Sequence, residues 1–453
     1  MKHSPDYKKQ FNLFILRILP LFLLIFSFAI FLSANVASVY AQQTALDVQN
    51  KINQKDSDIR KLEQEIIAYQ AQLDNLGQQK NSLSKMLKEL DLTRKKLNAD
   101  IAVTQNKIDK TNLKIQNLSS DINIKENSIK NDIDSVKLEI KNINEFEQNS
   151  MVENILSDND FTAIWNDIDN IVTVRERIRA DIVKLKQIKG ALEDTKKITI
   201  DAKNELTKLR SQLADQRTIV IQNTNEKNKL LKQTKNSETN YQKLLKDRIA
   251  QRDAFEKELR DYEAQLQFII DSSKLPSGRV LSWPLDKIFV TQLFGKTVAA
   301  KRLYASGTHN GVDFRASVGT PVMAMADGTV LGVGNTDLTC YGASFGKFVF
   351  IEYNNGLSST FGHLSLIKAY EREQVKRGDV VGYSGATGHV TGPHLHVSLY
   401  ASQAAKMDSK ASVSCGGRIY RIPIAPINAY LDVLAYLPPY VINQSLLNNQ
   451  TTE

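Results

Sequence analysis

Five of the chain's six histidines lie between positions 309 and 396, in three clusters. The first is His309-Asn-Gly-Val-Asp313. A spacing of four puts imidazole and carboxylate on one face of a helix, and an even separation does the same on a strand. Together they suit zinc, a borderline ion that accepts nitrogen and oxygen ligands. The second cluster is Phe361-Gly-His363-Leu, a lone imidazole beside glycine. The third is Gly385-Ala-Thr-Gly388-His-Val-Thr-Gly392-Pro-His394-Leu-His396-Val. On a strand, His394 and His396 point to the same side, about 6.5–7 Å apart along the chain. One can hold a metal while the other faces a substrate, and the glycines allow tight turns just before them. Any one of these histidines alone is most simply a satisfied core or surface residue. Three clusters in one short stretch, two with paired ligand types, in a chain with only His3 elsewhere, point to a metal site. His389 fits no required position and reads as a loop residue near the cleft.

The elements that must position these residues follow from the helix breakers. Only Pro5, Pro20, Gly77 and Gly190 precede Pro276, although the chain of 453 residues has 10 prolines and 21 glycines. Residues lacking breakers can run as continuous helix, whereas dense Gly and Pro demand tight turns. Asp271-Ser-Ser-Lys-Leu-Pro-Ser-Gly278 ends the helical pattern, so residues 271–279 are expected to be a linker. Beyond it, 319–322, 328–331, 348–353 and 379–382 are short β-like runs between turn residues. Residues 280–440 are thus expected to form an antiparallel β-rich domain large enough for its own core, followed by a loose polar tail at 441–453. The two cysteines, Cys340 and Cys415, either pair or stay as buried thiols. Asn335 to Ser344 reads as a loop insertion.

Residues 42–270 are expected to form a long α-helical coiled-coil arm. One apolar seam runs Ile52, Ile59, Ile66, Leu73, then Leu87, Ile101, Ile108, Ile115, Ile122, Ile129, Val136 and Ile143, with Lys80 and Arg94 as polar exceptions. Three residues on stand Leu62, Tyr69, Leu76, Leu83, Leu90 and Leu97, so the spacing is that of a coiled coil. About 95 residues of unbroken helix would reach roughly 140 Å. The pattern breaks near 149–165 and resumes with Ile178, Ile182, Leu185, Ile188 and Leu192. Two tracts around an irregular centre suggest an antiparallel hairpin, with a parallel dimer as the alternative. At the tip, Met151, Ile155, Leu156, Phe161 and Trp165 form either a small local core or a partner site.

The formal charge of +9 is a mild surplus spread over Lys-rich helices, the pattern of a solvated coiled-coil surface. No basic block interleaved with aromatics occurs, so nucleic acid is not expected as a partner. Residues 1–41 read as an export signal: scattered basic residues, an apolar run from Ile18 to Leu32, and Val39-Tyr40-Ala41 as a cleavage site. Extended to Ala37, the run could instead stay as a membrane anchor. Either way the rest of the chain is placed outside the cytoplasm, in the periplasm or cell wall.

His309-x-x-x-Asp313, His363 in a Gly-His-Leu context, and His394-x-His396 within Thr-Gly-Pro-His-Leu-His together resemble the lysostaphin/LytM-type zinc metallopeptidases. Gly319-Thr-Pro-Val322, Asp327-Gly-Thr-Val330, Gly378-Asp-Val and Gly385-x-Thr-Gly388 fit as well, over about residues 280–400. The resemblance implies that His309, Asp313 and His396 hold Zn2+ and that His363 and His394 are catalytic. Three protein ligands leave zinc a fourth position for water. Two departures concern surrounding hydrogen bonds: Phe361 stands where Tyr is common, and Val397-Ser398-Leu399 where an acidic residue often follows. Behind an exported coiled coil, the layout resembles the EnvC and PcsB type of cell-wall hydrolases and regulators. That implies an exported peptidoglycan endopeptidase acting on peptide stems or cross-bridges, regulated through its arm by a membrane complex of the FtsEX kind. The alternative is a non-enzymatic regulator that activates a separate wall amidase. Regulators of that kind typically lack several zinc ligands, whereas all five site residues are present here.

Overall fold

The computed structural model describes residues 46–440 except 77–78, 80, 149–160, 267, 298–299 and 302–306, and leaves out the side chains of 146–148 and 161–168. The expected export segment 1–41, the tip side chains Met151, Ile155, Leu156, Phe161 and Trp165, and the tail 441–453 lie outside that description. Among the described residues, no helix is long and apolar enough to cross a membrane.

Among the described residues, four helices precede the β domain: α1 (46–76), α2 (Leu83–Gln148), α3 (Phe161–Thr234) and α4 (Glu238–Gln265). The seam expected to run unbroken from Ile52 to Ile143 is thus divided between α1 and α2. Residues 79, 81 and 82 are not helical, and α2 restarts where the Ser82 hydroxyl accepts the Lys85 N–H at 3.2 Å. The later tract divides as well. Lys235 and Asn236 both adopt positive φ, and Ser237 caps α4.

Neighbouring helices run antiparallel. Lys55 pairs with Asp109 at 2.9 Å and Lys110 with Asp56 at 2.6 Å, between α1 and α2. Lys184 pairs with Asp132, Lys196 with Glu126 and Lys227 with Asp91, so numbers rise on α3 as they fall on α2. Of the two arrangements open from the sequence, α2 and α3 form the hairpin. Such exposed pairs contribute at most about 1 kcal/mol each and set register more than stability. Burial of seam residues such as Ile59, Leu97, Ile108, Leu209 and Ile219 supplies the greater part. The described residues group into two compact units. One joins those before Lys61 with Thr104–Ser211, and the other joins Lys61–Val103 with Gln212 onward.

The second unit contains the β domain. Its strands are β1 (Val290–Gln292), β2 (Val312–Arg315), β3 (Pro321–Met323), β4 (Gly328–Asn335), β5 (Lys347–Tyr353), β6 (Leu357–Ile367), β7 (Gln374–Val375), β8 (Val380–Ser384), β9 (His394–Ala401), β10 (Lys406–Ala411), β11 (Ile419–Ile424) and β12 (Tyr430–Leu431). The main sheet has the order β1-β2-β9-β6-β5-β4-β7, with β8 on β6 and β3, and β12 on β9. Its pairings are antiparallel, and β10 and β11 form a separate two-stranded ribbon. The four short runs read as β-like from sequence fall on β3, β4, β5 and β8. Strand β6 is buried through its first nine residues, and Phe314, Val349, Ile351, Phe361, Leu395 and Val397 lie in the main core. At roughly 1.5–3 kcal/mol per buried large apolar side chain, this layer makes the central strands a rigid platform.

Helix α4 is fastened to the ribbon side of the domain. Phe255 and Leu259 pack against Tyr420 and the two cysteines, with the Phe255 and Tyr420 rings edge to face at 5.1 Å. The Glu258 carboxylate accepts from the Ser412 hydroxyl and from the Val413 and Ser414 N–H groups. Cys340 and Cys415 are joined in a disulfide with their Cα atoms 5.6 Å apart.

Candidate metal centre

Strands β2, β9 and β6 lie side by side at the centre of the sheet, and their register gathers the histidine clusters. Asp313 faces His396 across β2 and β9, and Gly362 faces His396 from β6. His309 stands just before β2, held by a bridge to Gly295. Gly311 between them is dictated by space: a Cβ there would lie 2.5 Å from the Val397 carbonyl oxygen and 2.6 Å from the His396 ring. That close approach explains the glycine inside the first cluster.

Three donor atoms converge. His309 Nε2 lies 3.1 Å from His396 Nδ1 and 3.3 Å from Asp313 Oδ1, and His396 Nδ1 lies 2.9 Å from Asp313 Oδ1. All three side chains are buried, and as a group they could hold a metal ion. Donors bound tetrahedrally to zinc at about 2.0–2.1 Å sit roughly 3.3 Å from one another, so this set fits the ion in type and in spacing.

Each imidazole of the set has a partner on its other nitrogen. The Nδ1–H of His309 donates to the Leu293 carbonyl at 3.0 Å, so Nε2 is the nitrogen that faces His396 and Asp313. On His396 the roles are reversed: Nε2 meets the Ser398 hydroxyl at 2.8 Å and Nδ1 faces the site. Such outer partners fix the tautomer and ring orientation of metal-binding histidines. The sequence reading left this partner in doubt because no acidic residue follows His396. Ser398 supplies it, and its signal was legible: two residues beyond His396 on a strand is the same face.

His363 and His394 complete the cluster, with ring centroids 4.7 Å apart. The Nδ1–H of His363 donates to the Thr387 carbonyl at 2.8 Å, and that of His394 to the Gly392 carbonyl at 2.9 Å. Both therefore turn Nε2 away from those carbonyls, and His394 Nε2 lies 3.6 Å from Asp313 Oδ1. His363 is placed by a β-bulge. Val349 pairs with Phe361 but Lys347 with Leu364, so β6 carries one residue more than β5 there, and His363 takes φ of +62°. Bulges re-aim side chains, and a non-glycine residue in the left-handed region costs on the order of 1–3 kcal/mol. The lone Gly-His of the second cluster gave no hint of this geometry.

The electrostatics are those of a buried anion among imidazoles. Burial by itself would raise the Asp313 carboxyl. The facing His309 and His394 and the hydrogen bonds from His309 and His396 instead hold it well below the usual carboxylate range. Burial is also the main reason that His363 falls well below its ordinary value, with His394 and His396 adding to the effect. His396 is lowered by burial too, against the opposing pull of Asp313. His389 stands apart from the cluster, its Nδ1 2.5 Å from the Glu256 carboxylate on α4.

Residues 307–409 match Peptidase family M23. The peptidoglycan DD-endopeptidase ShyA of Vibrio cholerae is 41% identical over 91 residues, 20% of this chain and 20% of that protein. The cell division protein DipM of Caulobacter vibrioides is 33% identical over 143 residues, 31% of this chain and 23% of that protein. A crystal structure of a zinc-containing peptidase from Vibrio cholerae is 31% identical, covers 28% of this chain and 38% of that one, and has a TM-score of 0.24. The chain thus matches about a fifth of the length of these curated relatives, and the residues matched to the family, 307–409, contain the five site residues.

Proposed function

We propose, from the premise that residues 307–409 form a domain of peptidase family M23, that the protein is a zinc-dependent peptidoglycan endopeptidase acting outside the cytoplasm. The observation that carries this reading is the convergence of His309 Nε2, Asp313 Oδ1 and His396 Nδ1 beside two further imidazoles whose Nδ1–H groups are held by backbone carbonyls. Zinc, when bound there, supplies a Lewis acid that polarises the scissile carbonyl and lowers the pKa of its water to about 7. His309, Asp313 and His396 hold it. Between them, His363 and His394 receive the proton of the attacking water, stabilise the developing oxyanion and return a proton to the leaving amine. Burial suits His363 to that work, because it keeps the ring neutral at pH 7 and its Nε2 able to accept.

The coiled coil regulates access. Gln70, Leu73 and Asp74 of α1 line the same cleft, of about 1180 Å³, as Asp313, Arg315 and His394. Asp74 pairs with Arg315 at 3.6 Å. A partner that engages the helices, of the FtsEX kind by analogy of layout, would relieve this restraint.

The test uses the chain from residue 42 and the same chain carrying Asp74→Arg. Each is assayed for bound zinc and incubated with isolated peptidoglycan, with and without chelator, alongside a His394→Ala control. Chelator-sensitive release of new amino groups, absent in the control, is the expected result. Bound zinc without release from any of several wall types would replace the peptidase by the amidase-activating regulator. A folded protein without zinc would overturn the site.

A further inference from the structure

Two loops hold His363, and neither contributes a donor to the metal centre. One joins β4 to β5 and contains residues 336–346; the other leaves β8 and contains residues 385–389. Each delivers one bond to His363. The Phe345 carbonyl accepts its backbone N–H at 2.7 Å, and the Thr387 carbonyl accepts its Nδ1–H at 2.8 Å. The loops are fastened to each other by the Asp337 carboxylate, by a backbone bond and by the Thr387 hydroxyl, which accepts the Lys347 N–H at 2.9 Å. Asp337 accepts the Gly342 N–H at 2.7 Å with one oxygen and the Gly388 N–H at 3.1 Å with the other. The His389 N–H adds a bond to the Ser344 carbonyl at 2.9 Å. The contact is tight: a Cβ on Gly388 would lie 2.2 Å from the Gly346 nitrogen and 2.4 Å from the Ser344 oxygen.

The first loop is tied at its other side. Cys340 is joined to Cys415, between β10 and β11, across 75 residues of sequence. The Thr339 hydroxyl donates to the Ile419 carbonyl at 2.9 Å. The disulfide therefore anchors the loop that carries Asp337 and Phe345 to the ribbon, while the donor residues of the metal centre stand on or beside β2 and β9, which neither loop forms.

We propose that Asp337 is a positioning residue for His363: it locks the 336–346 loop to the 385–389 loop, and the Cys340–Cys415 disulfide holds that lock against the ribbon. The inference rests on the catalytic role given to His363 above. A bulged residue in the left-handed region keeps its orientation only while its surroundings enforce it. Here that enforcement runs through two carbonyls on two loops, with the Asp337 carboxylate among the bonds that join them. The metal centre stays assembled without the lock, whereas the aim of His363 does not.

The experiment uses the full chain carrying Asp337→Ala, Asp337→Asn, or Cys340→Ser with Cys415→Ser. Three quantities are read: zinc per chain, kcat and KM for release of amino groups from peptidoglycan, and the side-chain Nδ1–H resonance of His363 in protein labelled with 15N-histidine. For Asp337→Ala the expected result is a kcat lowered about ten- to hundredfold with KM and zinc content unchanged, the size of effect typical for loss of a supporting hydrogen-bond partner. The His363 Nδ1–H signal, protected by Thr387, broadens or disappears. Asp337→Asn, which keeps one acceptor oxygen, recovers part of both, and the double serine variant weakens the signal while retaining zinc. An Asp337→Ala protein with unchanged kcat and unchanged signal overturns the proposal. Loss of zinc in step with kcat also overturns it, because Asp337 then supports the whole centre. If the unaltered protein releases nothing from any wall, the peptidase reading fails by itself, and the His363 signal alone decides the positioning role.

Discussion

Each imidazole at the centre makes one outward bond and so presents one chosen nitrogen inward. Leu293, Ser398, Thr387 and Gly392 select those nitrogens for His309, His396, His363 and His394. This makes Ser398 a residue of consequence although it touches no substrate. Ser398→Ala removes the partner of His396 Nε2, and the expected outcome is zinc affinity lowered about ten- to hundredfold with the fold retained, checked by competition with a calibrated chelator. Asp313→Asn acts more severely. It removes the negative charge that the buried site offers a cation, and stoichiometric zinc should be lost on gel filtration, checked by metal analysis. A protein that kept its zinc through that substitution would show that Asp313 is not a ligand.

At the scale of elements, helix α4 and the β10–β11 ribbon form the support behind the site. Glu263 near the end of α4 accepts the Tyr430 hydroxyl at 2.7 Å, and burial pushes its carboxyl up to about 7 against those hydrogen bonds. Its folded value lies above the ordinary carboxylate value of 4.5, so the folded protein holds the proton more tightly than the unfolded chain does. The contribution is present in full below about pH 4.5 and is lost as pH rises through about 7, worth roughly 1–3 kcal/mol. Glu263→Gln should therefore gain in Tm relative to the unaltered protein as pH rises from 5 to 8, checked by paired thermal melts. A constant difference across that range would disprove the assignment. Reduction of the Cys340–Cys415 link, which closes a long loop, should lower unfolding stability by about 2–5 kcal/mol, measured by denaturant titration with and without reductant.

For the whole molecule, the second compact unit joins helical segments to the strands that hold the candidate site, and the Asp74–Arg315 pair lies across the cleft where they meet. Both side chains are about half exposed, so the pair is worth at most about 1 kcal/mol. Asp74→Arg places like charges there and should raise kcat/KM on peptidoglycan by up to about fivefold without changing bound zinc, the limit that about 1 kcal/mol sets at about 1.4 kcal/mol per decade. An unchanged or lowered rate would remove α1 as a restraint.

The donor cluster was legible in the sequence because ligand types and short spacings survive without a fold. His309, Asp313, His394 and His396 announce themselves by even separations, and the Gly and Pro distribution separates helices from sheet. The helical seams were legible for the same reason, since a period of three and four depends only on local geometry. Their interruption around 77–82 was weakly signalled, because one glycine in a long seam is often tolerated. Tertiary structure decided the rest. The antiparallel pairing of α2 and α3 depends on contacts between residues about 50 to 140 apart. The bulge that aims His363 arises from a mismatch between β5 and β6, which neither strand shows alone. The Cys340–Cys415 link and the Asp337 bridge join loops that only the folded sheet brings together. Periodicity is local and can be read along the chain, whereas register and loop-to-loop hydrogen bonds are properties of pairs and exist only once the strands have met.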